Sequence, residues 1–294
     1  MTDYLVKALA FDGQIRAFAV DATQTVKEAQ RRHDTWHTAS AALGRTMVGA
    51  LLLGYNLKGE EKLTVEVNGN GPGGKIVVDS NGKGQVRGYI SNPKVALPLN
   101  AKGKLDVRGC VGTSGTLTVR KDLGMREPFS GQVPIVDGEL GEDFTYYMAL
   151  SEQTPSAIGV SVLVDTDDCV RTSGGFMIQV MPGATDETIS EIERRIAKMP
   201  QISDLMDSHH SPEDILTLIL GEENVKFLDK LPVSFYCDCN KEKFEKGLMT
   251  LGVHDLQEMK EEDGGIEVTC HYCNDKYYFD EDDLQNIIDT IQAG

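Results

Sequence analysis

Near its C-terminal end the chain reads Cys237-Asp238-Cys239, then 30 residues, then Cys270-His271-Tyr272-Cys273. Two close thiol pairs, joined by a span long enough to fold back, can bring four sulfurs to the corners of one tetrahedron. Zinc is the ion that takes this arrangement. Four of the six cysteines fall within 37 residues, and paired thiols in an intracellular protein mean metal or redox chemistry. The Cys-x-Cys half departs from the usual Cys-x-x-Cys and sets two thiols close enough to react with each other. The spacing therefore predicts a small module over 233–294, with one zinc held in the reduced state by Cys237, Cys239, Cys270 and Cys273. Within it we expect a strand into Cys237, a helix from Lys241 to Leu251, a Gly264-Gly265 hairpin into Cys270 and a closing helix from Asp283 to Gln292.

A chain of 294 residues, 40% of them hydrophobic, can bury a substantial core, and its length fits about two domains. The N-terminus carries no basic region followed by an apolar stretch, and the longest apolar run, Met47 to Leu53, is far too short to span a bilayer. A cytoplasmic protein with no membrane partner is expected. Thiols are kept reduced there, so an oxidised cluster is a transient signal. The net charge of −17 is unevenly placed: residues 1–182 carry 20 acidic and 19 basic side chains, and residues 183–294 carry 26 and 10, a net −16. Such a surface repels phosphate backbones, so nucleic acid is not an expected partner.

Along the chain, Leu5 to Val20 alternates around Asp12-Gly13 and reads as a hairpin. Thr25 to Leu53 is helical with a break near His33 to Thr35; Trp36, Ser40, Leu43, Met47 and Ala50 form one stripe expected to face the core. Strands follow at Leu63 to Val67, Lys75 to Asp79 and Gln85 to Ile90, with Asn68-Gly69 and Asn81-Gly82 as turn signals. Gly69 to Gly74 matches the letters of a dinucleotide fingerprint but leads into another strand, so it is read as a glycine-rich turn. Gly112 to Gly115 lacks the spacing of a nucleophile elbow.

Further strands are expected at Lys104 to Arg108 and Thr116 to Arg120, a helix at Asp143 to Glu152, and strands at Ala157 to Asp165 and Gly175 to Val180. Asp165, Asp167 and Asp168 read as a solvated turn, and the lone Cys110 and Cys169 as small buried hydrophobes. From 185 to 230 the pattern is helical in an acidic background. Ile189, Ile192, Ile196 and Met199 form a stripe, Ser211-Pro212 a helix start and Gly221 a stop. This segment is too short and too charged to hold its own core, so its order depends on its neighbours. The fold expected is α+β, with three parts: a core of antiparallel-rich sheets and packed helices over 1–183, a helical linker over 184–232, and the zinc module over 233–294.

Metal ligation holds the four sulfurs as thiolates and masks them from one another. An oxidant turns a thiolate into sulfenic acid, which a neighbouring thiol converts to a disulfide. Cys237 with Cys239, and Cys270 with Cys273, are each near enough in sequence to resolve the other. Oxidation would release the metal, unfold the module and unmoor the helices before it, exposing apolar surface of the kind that binds other unfolded chains.

The Cys-x-Cys and Cys-x-x-Cys pattern with its gap near thirty residues resembles the C-terminal signature of the bacterial heat shock protein 33 family. The likeness continues through Gly44-Arg45, Val86-Arg87-Gly88-Tyr89, Gly115-Thr116-Leu117 with Lys121-Asp122-Leu123-Gly124, Ser151-Glu152-Gln153-Thr154, and Gly174-Gly175-Phe176 to Pro182-Gly183. The resemblance implies an ATP-independent holdase and not an enzyme, inactive when reduced and zinc-bound and active as an oxidised homodimer that binds unfolded clients. It also implies disulfides 237–239 and 270–273 and a metastable linker near 184–232; Cys110 and Cys169 lie outside the signature. Two other classes remain to be weighed. A thiol-disulfide oxidoreductase using Cys270 and Cys273 lacks the expected βαβ setting, and a zinc-ribbon nucleic-acid binder conflicts with the C-terminal charge.

Overall fold

Apolar residues occupy both alternating sets of the first hairpin, because the sheet it belongs to is covered on both faces. The computed structural model describes residues 2–293. The chain forms two compact units, one ending at Tyr236 and the other beginning at Cys237.

The first unit opens with β1 (Tyr4–Ala10) and β2 (Ile15–Asp21), joined by a 3-10 turn at Phe11–Gly13. Then come α1 (Thr23–His33), α2 (His37–Gly54), β3 (Lys62–Gly69), β4 (Lys75–Asn81) and β5 (Gln85–Ile90). Next are α3 (Val107–Val111), β6 (Gly115–Asp122), β7 (Phe129–Pro134), α4 (Gly141–Leu150), β8 (Ser156–Val164) and β9 (Val170–Val180). The unit closes with α5 (Asp186–Lys198), α6 (Ile202–Asp207), α7 (Pro212–Leu220), β10 (Val225–Pro232) and the short β11 (Ser234–Phe235). One sheet has the order β10-β1-β2-β9-β8 and is antiparallel throughout. The other has the order β11-β5-β4-β3-β6-β7 and is antiparallel except where β11 runs parallel to β5.

Between these sheets runs α2, buried on nearly every side from Thr38 to Gly54. A helix apolar all round has to be enclosed, and Phe18 and Val20 of β2, Val65 and Val67 of β3 and Val78 of β4 help enclose this one. A Cβ on Gly49 would sit within 2.2 Å of the Phe144 ring of α4, so only glycine allows that approach. On the opposite face of β1 and β2, Val6, Ala8, Ile15, Ala17 and Ala19 pack against Ile192, Leu205, Ile215, Leu216 and Ile219 of α5 to α7. The acidic segment after Pro182 thus finds its apolar partner on the five-stranded sheet, within the same compact unit as residues 1–183.

The α+β class, the opening hairpin and the paired helices agree with the sequence expectations, and Asp34 in the left-handed region ends α1 where the break was expected. Several local expectations fail. Lys104 to Arg108 is no strand: the Asp106 carboxylate accepts from Gly109 N at 2.8 Å and starts α3. Residues 225–232 form β10, paired along the whole of β1, where helix was expected. The edge strand β7 went unrecognised because its apolar residues are few and scattered. Trp36, expected in the core, is 45% exposed: as the residue capping α2 it lies outside the helical stripe, with Lys94 Nζ 5.8 Å from its ring centre. Cys110 is buried as expected, but Cys169 is exposed in the acidic turn. The glycine-rich turn is structural, as expected: Gly71 N and Gly73 N donate to the carbonyls of Val111 and Cys110 at 2.9 Å.

The second unit contains α8 (Lys241–Leu248), α9 (Val253–Asp263), the antiparallel hairpin of β12 (Gly265–Thr269) and β13 (Lys276–Asp280), and α10 (Glu281–Ala293). Its own small core is made by Leu248, Leu256, Phe279, Leu284, Ile287 and Ile288. The single helix expected from Lys241 to Leu251 is α8 alone, and α9 fills what was read as the approach to the hairpin.

Candidate metal centre

The four sulfurs are delivered by one backbone turn and one segment without regular structure, both in the second unit. Cys270 follows β12, its N–H donates to the Asp275 carbonyl at 2.8 Å, and its own carbonyl accepts from Asn274 N at 2.7 Å. The chain turns back on itself through Asn274, which takes the left-handed region at φ +62 that asparagine tolerates. This closes a knuckle that points Cys270 and Cys273 the same way. Cys237 and Cys239 come from the irregular segment ahead of α8, whose start is fixed by Asn240, its side chain accepting from Lys243 N at 2.9 Å.

The structure brings together all four cysteines singled out from the sequence: every Sγ lies within 4.8 Å of the others. Cys237 and Cys270 sulfurs are 3.8 Å apart, and those of Cys239 and Cys273 are 3.3 Å apart. A tetrahedral zinc with Zn–S bonds of about 2.3 Å separates its sulfurs by about 3.8 Å, so the donor set fits that ion in chemistry and number, and its sulfur separations bracket that value. Cys270 and Cys273 are buried and Cys237 and Cys239 are half-buried, as suits a closed site. Burial, then the crowding of neighbouring thiols, pushes the Cys273 thiol well above its ordinary value. Four thiolates do not pack this closely without a cation to offset their charge. His271 is exposed and stands outside the sulfur group. Cys110 and Cys169 belong to the first unit.

One neighbour was missed in the sequence. The Tyr277 hydroxyl donates to the Cys239 carbonyl at 3.1 Å and lies 3.3 Å from the Cys239 sulfur, and its ring packs 5.1 Å from that of Phe244 on α8. The contact with Cys239, and burial after it, raise the tyrosine's pKa. The alternation of β13, which sets Tyr277 and Phe279 on one face, was the signal available. Tyr277 braces the Cys-x-Cys arm against the hairpin.

Two sheets enclosing a helix, followed by a small unit built on four converging thiols, define a two-unit α+β protein with a cysteine metal-binding cluster. The sequence profile of the family described as "Hsp33 protein" matches residues 3–280. A 33 kDa chaperonin of Enterococcus faecalis is 60% identical over 289 residues, covering 98% of this chain and 97% of its own. The 33 kDa chaperonin of Levilactobacillus brevis is 55% identical over 294 residues and all of both chains. The crystal structure of the 33 kDa chaperonin from Thermotoga maritima matches the whole of both chains at a TM-score of 0.94 and 39% identity. The chain belongs to the Hsp33 family, a family of chaperonins and not of enzymes. No helix among the described residues is long and apolar enough to cross a membrane.

Proposed function

We propose that this chain is an ATP-independent holdase switched by oxidation of its cysteine cluster. The observation that carries the proposal is the convergence of four sulfurs within 4.8 Å of one another in a unit with a small core of its own. Cys237, Cys239, Cys270 and Cys273 would hold one zinc ion in the reduced state; bound there, the ion supplies the positive charge that lets four adjacent sulfurs remain thiolates. A structural zinc site contributes an apparent ~10–16 kcal/mol, as much as or more than a whole domain's usual net stability of about 5–15 kcal/mol. The second unit therefore depends on its cluster to stay folded.

A peroxide is the co-reactant. One thiolate attacks it, giving sulfenic acid and hydroxide; a neighbouring thiol then displaces the sulfenic oxygen as water and forms the disulfide. Each disulfide takes two electrons from sulfur and reduces one peroxide. We assign the pairs as 237–239 and 270–273, on the strength of the family likeness and of their short sequence separation. Spatial distance does not choose, since all pairings are close. With the sulfurs consumed, the unit loses its organising centre. In the activated state the segment 184–232, acting as a metastable linker, would come away from β1, β2, β9 and β8, taking the edge strand β10 with it, and uncover both apolar surfaces, including Ile215, Leu216, Ile219 and Leu220. Unfolding client proteins would bind there, on a homodimer, in the cytoplasm where thiols are otherwise kept reduced.

The oxidoreductase alternative is weaker, because Cys270 and Cys273 lie at the turn of an antiparallel hairpin, with no βαβ unit around them among the described residues. The acidic C-terminal third likewise argues against a nucleic-acid binder. The test is light scattering from a heat-unfolding client, with this protein reduced or treated with peroxide at elevated temperature, while a chelating dye follows zinc. Suppression of aggregation is expected only after zinc release; zinc release without suppression rejects the holdase function. Peptide mapping of the oxidised protein checks the two disulfide pairs.

A further inference from the structure

Within the first unit, a cleft of about 680 Å³ opens between α2, the loop before α3, the loop before α4, β8 and the α5–α6 turn. That volume falls in the range of small-molecule sites. Its apolar wall is Ile158 and Val160 of β8 with Ile196, Met199 and Ile202 from the α5–α6 region. Its cations are Arg45, Lys102, Lys104 and Arg108, and its acids are Asp106, Asp137, Glu139 and Glu142.

The cleft carries four side chains of each sign, and they differ in how they are held; Glu142 is exposed. Asp106 accepts from Gly109 N at 2.8 Å and Asp137 from Glu139 N at 2.8 Å, while Glu139 takes up Arg45 Nη1 at 2.5 Å. Lys102, Lys104 and Arg108 make no ion pair among the described residues and all three are exposed, with Arg108 near enough to Asp137 to favour its carboxylate. Arg45 is mostly buried; its Nη1 is also held by the Glu139 carbonyl at 3.0 Å, and its Nε is buried with no hydrogen-bond partner. A buried donor without an acceptor is a group awaiting one.

The wall that fixes Arg45 is itself built under strain. Fully buried Asp143 accepts from the backbone N–H groups of Val136, Asp137, Gly138 and Leu140, at 2.6, 3.3, 3.1 and 2.9 Å, and holds Leu140 at φ +77. Leucine rarely adopts that conformation, and such strain gathers where a loop must present a side chain in one position. Here the side chain presented is Glu139, and through it Arg45.

We propose that this cleft binds a small organic anion with an apolar body, its carboxylate or phosphate received by Arg45, Lys104 and Arg108 and its apolar part lying along Ile158, Val160 and Met199. Lys104 and Arg108 bring exposed cations to the headgroup, and Arg45, held in one position by Glu139, offers the donors that Glu139 leaves free. Because α5 and α6 form part of the wall, a bound ligand joins the 184–232 segment to the sheet core and is expected to slow hydrogen exchange at residues 196–202.

The test is calorimetric titration of the full-length, reduced, zinc-loaded protein with decanoate and octyl phosphate below their micelle concentrations, beside decanol and inorganic phosphate. One of the two amphiphilic anions is expected to bind at one per chain, and whether carboxylate or phosphate binds tighter identifies the headgroup. Decanol and inorganic phosphate are expected to bind about tenfold more weakly or worse. Lys104→Gln combined with Arg108→Gln, both exposed and so compatible with folding, is expected to weaken binding about tenfold. Arg45→Gln, checked for fold by circular dichroism, is expected to do at least as much. No binding by either anion, equal binding of decanol, or affinity unchanged in the double variant overturns the proposal. No oxidant or client is present, so this result is independent of the aggregation assay.

Discussion

At the scale of single residues, the buried charges and thiols set the sharpest expectations. Asp143 has no exposed surface and gathers four backbone donors. Asp143→Ala strands all four, and a loss of about 3–5 kcal/mol is expected in urea unfolding of the first unit at an unchanged slope. Nothing in the local sequence marked this role, since an aspartate in the first turn of a helix reads as an ordinary dipole partner. Cys110 is different: burial, with Asp106 nearby, pushes its thiol from 9.0 up to about 11. The unfolded chain releases that proton first, so the group's contribution is whole below pH 9 and is lost as pH rises from 9 to about 11. Wild type is expected to lose stability over that window more steeply than Cys110→Ala, by about 1.4 kcal/mol per pH unit. Equal slopes in the two proteins would contradict the burial argument. Cys169, exposed in its turn, is expected to react with iodoacetamide in the native protein while Cys110 does not.

At the scale of elements, α7 links local sequence to tertiary order. Its start was legible: Ser211 and Asp214 form a reciprocal capping box across Pro212, at 3.2 and 2.8 Å. Ser211→Ala is expected to cost about 1 kcal/mol. Its apolar face is fully buried at Ile215, Leu216, Ile219 and Leu220, and Leu216→Ala is expected to cost about 2–5 kcal/mol. If the proposed switch is right, the same variant suppresses client aggregation at a lower temperature than wild type after oxidation; light scattering against temperature measures the shift. The element that sequence missed is β10. Val225 to Pro232 is mostly exposed, and its order comes from hydrogen bonds to β1 more than 200 residues away. Side-chain periodicity carries little trace of a strand whose partner is a distant backbone.

At the scale of the whole molecule, two units with separate cores should unfold separately. The first has a large core enclosing α2, whereas the second has a small one beside the sulfurs. Calorimetry is expected to show two transitions in the zinc-loaded protein. A strong chelator is expected to abolish the one belonging to residues 237–294 while the other keeps most of its enthalpy. A second unit that melts cooperatively without metal would remove the basis for the proposed switch. Cys237→Ser and Cys270→Ser should reproduce the chelated state, and Cys110→Ser should not; equal zinc loss in all three would contradict the ligand assignment.

The sequence by itself determined the four-thiol cluster, the concentration of negative charge in the last third, the α+β class and most local elements. Each of these depends on residue spacing or on alternation within one short segment. Tertiary structure alone decided that β10 is a strand, that Trp36 lies outside the core, that α3 replaces a strand, and that Tyr277, Asp143 and Arg45 meet the partners they do. Those outcomes follow from which backbone groups and side chains from remote segments come within hydrogen-bond reach. A buried charge or an edge strand is stable only in the presence of its partner, and one-dimensional order does not display that partner.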